Sequence, residues 1–221
     1  MTSSLTRRQA LSLGVGASAV IALTTSGTSQ AASGTREALW NEPRSANGWP
    51  VLNHATTQQV EGTNVAVALA EGDAAIILRY VARRFAYEVD MLRTGDLHGH
   101  TTDRKVGAAF ESNYLSGTAI AIRPLHYPLR ADVKNTGMSE SERIVIADIL
   151  ADCEGVVTWG GNLEPVKQSH FEIAVMPDTS SLRKLAAQLQ GRNDTPGQGA
   201  GAIDAFAASR RRSVARFQQA H

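Results

Sequence analysis

The sequence predicts an α+β domain, a small antiparallel sheet with helices packed on it. Two segments that alternate apolar and small or polar residues, 117–123 and 170–175, lie late in the chain with a helix-length stretch between them. A further helical pattern starts at Asp73, and the order of strands and helices does not repeat as strand–helix–strand units. No internal repeat is present.

Taken in order, residues 32–72 read as an extended, turn-rich entry segment. It is rich in Gly, Ser, Asn and Thr and contains Asn47-Gly48-Trp49-Pro50, with Trp49 expected to pin it to the core. From Asp73, a candidate N-cap, Ile76, Ile77, Tyr80, Val81 and Arg84 recur at helical spacing while Arg79 and Arg83 face outward. Tyr87-Glu88-Val89-Asp90 alternates like a short strand. Residues 94–103, with His98 and His100, are too polar and Gly-rich for a core element and read as a functional loop.

The strand at 117–123 is stopped by Pro124 and Pro128. Ser139-Glu140-Ser141-Glu142 is a capping box for a helix reaching about Asp152. Val156-Val157-Thr158-Trp159, the turn Gly160-Gly161-Asn162 and the strand from His170 follow. A helix over 181–190 precedes a Gly-rich linker over 191–201 and a basic amphipathic helix with Arg210, Arg211, Arg212 and Arg216. The expected organisation is a signal at 1–31, the entry segment at 32–72, a catalytic domain at 73–190, and the linker and basic helix at 191–221.

The signal reading rests on Thr6-Arg7-Arg8-Gln9-Ala10-Leu11, a twin-arginine motif, followed by an apolar run to Leu23 and by Ser29-Gln30-Ala31, an A-x-A-like cleavage site. That run falls short of the roughly 20 residues a membrane span needs. The expectation is a secreted, extracellular protein that meets the twin-arginine export machinery and has no membrane partner once the signal is removed. The formal charge falls from +1 to −1 on losing Arg7 and Arg8, a balance that marks no nucleic-acid binder. Cys153 is the only cysteine, so no intrachain disulfide forms, and its apolar surroundings make it a small buried hydrophobe.

Two pieces carry chemistry. Ser112, Tyr114, Gly117, Ala119 and Ala121 fall at the places of the pattern Ser-x-His-x-x-Gly-x-Ala-x-Asp, and Trp159-Gly160-Gly161 is followed by His170-Phe171-Glu172. Over residues 73–176 these resemble the D-Ala-D-Ala carboxypeptidase and endopeptidase family that shares a fold with Hedgehog signalling domains. The resemblance implies that fold, but the chain departs from the family's metal chemistry. Tyr114 replaces a His ligand, Ala121 an Asp ligand, and Lys167 stands where the catalytic acid precedes the retained His170. A zinc hydrolase needs three protein ligands and a metal-bound water, so no metal is expected from the motif. His98, His100 and His170 could rebuild a three-imidazole site, or the first two could be plain loop residues.

Without a metal, a Tyr and a His on one cleft form a proton-transfer pair, the phenol needing a positive neighbour such as Lys167 or Arg123 to reach its anion. β-Elimination from a uronic acid uses such a set: a base takes the proton beside the carboxylate, an acid protonates the departing oxygen, and an amide neutralises the carboxylate. The candidate catalytic residues are therefore Asn113, Tyr114 and His170, with His98, His100, Arg123, Trp159, Asn162 and Lys167 as candidate substrate contacts. Tyr114 could equally be a core aromatic and Asn113 an Asx-turn residue; Trp159 could pack rather than stack on a sugar. The length, the signal, Asn47-Gly48-Trp49-Pro50-Val51 and 111–117 together resemble the small secreted actinobacterial hyaluronate lyases. That resemblance implies cleavage of hyaluronan to 4,5-unsaturated uronate ends without a cofactor. A degenerate or metal-rebuilt cell-wall peptidase relative, cutting or only binding peptidoglycan peptides, is the other reading.

Overall fold

The computed structural model describes residues 37–220; the expected signal at 1–31 lies outside them. Along the chain run β1 (Ala38–Leu39), β2 (Thr56–Gln59), β3 (Ala66–Leu69), α1 (Asp73–Glu88), β4 (Leu97–His98) and β5 (Lys105–Val106). A 3₁₀ helix (Ala109–Tyr114), β6 (Ala119–Ile122), α2 (Val133–Thr136), α3 (Glu140–Asp152) and β7 (Val157–Trp159) follow. A second 3₁₀ turn (Gly160–Asn162), β8 (His170–Ile173), α4 (Ser180–Asn193) and α5 (Ala208–Ala220) complete the chain. The class is α+β. An antiparallel sheet in the order β4-β6-β8-β7 forms the platform, with β2-β3 and β1-β5 as separate two-stranded pairs.

The platform is two-faced because its strands alternate. Ile120 and Ile122 of β6, Phe171 and Ile173 of β8, and Leu97, Val157 and Trp159 join the main core with Ile77, Leu78, Val81 and Phe85 of α1 and Ile146 and Ile149 of α3. Each such side chain contributes about 1.5–3 kcal/mol on full burial. Ala119 and Ala121 point the other way and pack with Tyr114 in a small second cluster.

The helices show where local signals hold and where they yield. Ser139 Oγ accepts from the Glu142 N–H (3.3 Å) and the Glu142 carboxylate accepts from the Ser139 N–H (2.6 Å), so α3 starts where the capping box predicts. Asp73 is not the N-cap of α1. Gly72 holds that place at φ 87°, with no side-chain cap, and Asp73 is the first helical residue, where its charge favours the helix dipole. Nor do Tyr87 and Glu88 form a strand: Arg84 pairs with Glu88 one turn on, the Val89 N–H donates to Phe85 O (2.9 Å), and the helix runs through both. The entry segment holds a strand pair that its polar Thr56-Thr57-Gln58-Gln59 did not advertise.

α4 extends through Gly191 to Asn193, three residues past the expected end. α5 is not simply a solvated basic face. Arg211, Arg212 and Arg216 are exposed, but Arg210 reaches Asp148 and Asp152 of α3 (2.7 and 2.8 Å). Those carboxylates also bind the fully buried Arg84 (2.7 and 2.8 Å), while Arg192 of α4 meets Asp152 (3.0 Å). Tyr80 donates to Asp152 (2.8 Å), so α1, α3, α4 and α5 meet at one buried ion cluster. Cys153 next to it is buried and free, and burial pushes its thiol up, away from the reactive thiolate. No helix among the described residues is long and apolar enough to cross a membrane.

Candidate active site

On the sheet face opposite the main core, the register sets His98 against Ala121 and Ala121 against His170. One methyl thus lies between two imidazoles across three strands. The neighbouring row is Ala119, Glu172 and Thr158. The two alanines leave room above the sheet, and the 3₁₀ helix Ala109–Tyr114 fills it with the Tyr114 ring.

The entry segment fixes that helix from outside. The Ala46 N–H donates to Ser112 Oγ (2.8 Å) and the Asn47 N–H to Asn113 Oδ1 (3.0 Å). The Asn47 amide donates to Thr118 Oγ1 (2.8 Å) and Ile173 O (2.9 Å), and the Trp49 indole N–H to Val175 O (2.9 Å), which supplies the pinning expected of Trp49. Two motif glycines have steric causes. Gly117 sits at φ +66°, where a Cβ would lie 2.5 Å from Ala70 N; at Gly160 it would lie 2.2 Å from Lys167 O and 2.8 Å from His170 Cβ.

These constraints bring Tyr114 and His170 together. The Tyr114 hydroxyl is 2.7 Å from His170 Nδ1, and His170 Nε2 is 2.7 Å from Glu172 Oε2. The same Glu172 oxygen accepts from Asn113 Nδ2 (2.5 Å). A carboxylate accepts, so Nε2 carries the imidazole proton, Nδ1 presents its lone pair, and the Tyr114 O–H donates to it. His170 is 0% exposed, with Phe110 against its ring (centroids 4.7 Å apart), and Tyr114 is 8% exposed. Burial holds His170 below its ordinary 6.5, partly offset by Glu172. Burial, followed by the charges of Glu111 and Glu172, raises Tyr114 well above 10. Lys167 Nζ does lie 4.9 Å from the Tyr114 ring centroid, but the expected lowering of the phenol is overridden by burial, and the resting pair is neutral.

Beside this chain is a cavity of about 330 Å³ lined by His98, Gly99, His100, Thr101, Tyr114, Ala121, Pro124 and Lys167. His98 Nε2 donates to Gly95 O (2.9 Å) and His100 Nε2 to Leu52 O (3.1 Å), so a neutral ring at either place has its Nδ1 as the acceptor. Lys167 Nζ donates to Glu111 Oε1 (2.6 Å). The lining therefore offers an ammonium, two imidazoles and a threonine hydroxyl, with no carboxylate. A cavity of similar volume between the β2-β3 turn, α1 and α4 instead sets Arg79 and Arg83 beside Glu61 and Asp194, and its Tyr80 donates to a carboxylate, Asp152, and not to a histidine.

Of the expected site residues, Tyr114, His170, His98, His100 and Lys167 thus come together, at or directly behind the cavity. Four do not. Asn113 is 1% exposed with both ends of its amide bonded to protein, so it orients Glu172 and does not meet a ligand. Arg123, at φ 53°, pairs with Asp90 and with Asp96 (3.5 Å) and does not line the cavity. Trp159 faces the main core, its indole N–H donating to Gln168 O (2.7 Å), and with Asn162 borders a separate groove beside Leu150 and Phe217. A metal set of His98, His100 and His170 is not assembled, since both His170 nitrogens are engaged by Tyr114 and Glu172; among the described residues no group of three or more His, Cys, Asp or Glu is arranged to hold an ion.

Glu172 and Glu111 lie within the two motif pieces but are not among the site residues expected from the sequence. The strand period of two had put His170 and Glu172 on one face, and Glu111 lies three residues before Tyr114 on the same 3₁₀ helix. Comparison of the chain with protein-family models, curated proteins and solved structures returned no match.

Proposed function

We propose that this is a secreted polysaccharide lyase that cleaves hyaluronan by β-elimination, on a scaffold related to the D-Ala-D-Ala carboxypeptidase and Hedgehog fold. The observation that carries the reading is the Tyr114–His170–Glu172 chain, with both links 2.7 Å long, beside a cavity lined by basic and hydroxyl groups without an acid. A uronate residue, with one carboxylate and several hydroxyls, matches that lining: Lys167 meets the carboxylate and His98 and His100 accept from hydroxyls.

The burial of His170 makes Tyr114 the residue that meets substrate. As Tyr114 O takes the proton from the carbon beside the carboxylate, its own proton moves to His170 Nδ1. The electron pair left on that carbon forms the double bond as the glycosidic C–O bond breaks. The proton then returns from His170 through Tyr114 to the departing oxygen, so one proton leaves the sugar, one arrives, and the enzyme is restored. Glu172 stabilises the transient imidazolium, as a carboxylate behind a histidine does in other acid–base chains. Asn113 acts through Glu172 rather than on the sugar.

The test is ultraviolet absorbance of the unsaturated product on mixing purified protein with hyaluronan in excess chelator. Growth is expected. No growth with hyaluronan or other glucuronate polymers refutes the lyase reading, and release or binding of muropeptides in its place points to the cell-wall alternative.

A further inference from the structure

We propose that Glu111 sets the charge with which the cavity meets its ligand, acting as an internal counter-ion that lowers affinity for a carboxylate. The inference rests on the reading of the cavity as a uronate site. Lys167 is 9% exposed, lines the cavity and lies against the Tyr114 ring, yet only one of its three N–H donors has a partner among the described residues, Glu111 Oε1 at 2.6 Å. The other Glu111 oxygen accepts from the Gly107 N–H (2.7 Å), so its carboxylate is anchored from behind and does not itself line the cavity. Burial pushes Glu111 up, but Lys167 and the Gly107 N–H together keep it below the usual carboxylate range.

An incoming carboxylate reaching the two remaining Lys167 donors shares the ammonium with Glu111. Two negative groups then flank one positive charge in a partly desolvated place, where like-charge repulsion is strong. Removing the Glu111 charge leaves the ligand as the sole counter-ion, so binding of an anion tightens while binding of a neutral sugar does not change.

The experiment is titration of the full chain with D-glucuronate, and with D-glucose as the neutral control, for the wild type, Glu111→Gln, Glu111→Asp and the Glu111→Gln/Lys167→Met double variant. Glu111→Gln should bind glucuronate several-fold more tightly than wild type, Glu111→Asp about as wild type, and the double variant should lose the gain. Equal or weaker binding by a folded Glu111→Gln protein overturns the proposal, because a purely positional Glu111 gives that result. An equal gain in Glu111→Asp, an equal gain for glucose, or no glucuronate binding by any of the proteins also overturns it. In the wild type, which needs no variant to fold, the Lys167 ammonium resonance should shift with glucuronate and not with glucose; no shift contradicts the proposal. Hyaluronan turnover is not read here, so absence of lyase activity and absence of this charge effect are told apart.

Discussion

The helix junction and the open face of the sheet each bury a polar network, and they handle charge in opposite ways. At the junction, the guanidiniums of Arg84, Arg192 and Arg210 are matched by Glu88, Asp148 and Asp152, each cation touching at least one anion. On the sheet, Glu172 is met among the described residues only by neutral donors, His170 and Asn113, and the chain ends at Tyr114, a cavity-lining residue. Arginine does not release its proton in a protein, and the phenol there, Tyr80, faces Asp152, a carboxylate held below its usual range that does not draw the proton off, so the junction serves as a clamp. The sheet network is built from groups whose protons can move, and it lies beside a space a ligand can enter.

Breaking the clamp should have the largest effect. Arg84→Met leaves Glu88 without its main partner and removes one contact each from Asp148 and Asp152, and should cost about 3–5 kcal/mol in denaturant unfolding; a loss under 1 kcal/mol would show that the junction is looser than its distances indicate. Tyr114→Phe sharpens the other side. It should lower hyaluronan turnover by at least about 10²-fold, the usual worth of a general acid–base group, with the fold retained by circular dichroism. An active Phe variant rules out Tyr114 as the group that meets substrate.

Glu172→Gln keeps the shape and removes the charge behind His170. Turnover should fall, by less than in Tyr114→Phe, with a smaller effect on thermal stability than Arg84→Met; unchanged turnover removes Glu172 from the relay. The smallest effect is on pH. The folded chain holds His170 below the 6.5 of the unfolded chain, so below about pH 6.5 the unfolded state takes up a proton that the folded state refuses. Stability from this group is present above pH 6.5 and is lost as pH falls, before Glu111 and Asp152, both held low, begin to titrate. Unfolding measured from pH 7 to pH 5 should show that slope in the wild type and less of it in His170→Asn; identical slopes would mean His170 is not buried neutral.

Much of the framework could be read in advance where a local rule was strong. The Ser139/Glu142 capping box, the Ala-Ile-Ala-Ile alternation of β6 and the His-Phe-Glu-Ile alternation of β8 each specify their element without help from distant residues. The rule failed where a longer contact decided. Tyr87 to Asp90 alternates, but the Arg84–Glu88 pair extends α1 through its first half, and β2 is polar because it is an exposed strand supported by β3. In the site, motif spacing brought Tyr114 and His170 into view, but adjacency misled for Asn113: neighbours on a 3₁₀ helix point about a third of a turn apart. Trp159 shows the same failure on a strand, since its in-register partner is Phe171, a core residue.

The cross-strand row of His98, Ala121 and His170 binds the chemistry to the alignment of the sheet. A one-residue slip of β8 against β6 would turn Phe171 toward the cavity and send an imidazole into the hydrocarbon interior, because such a slip inverts every side chain of a strand. Misalignment of this sheet would disturb the core and the candidate site together, so the alignment that fills the core also sets the placement of the groups on the other face.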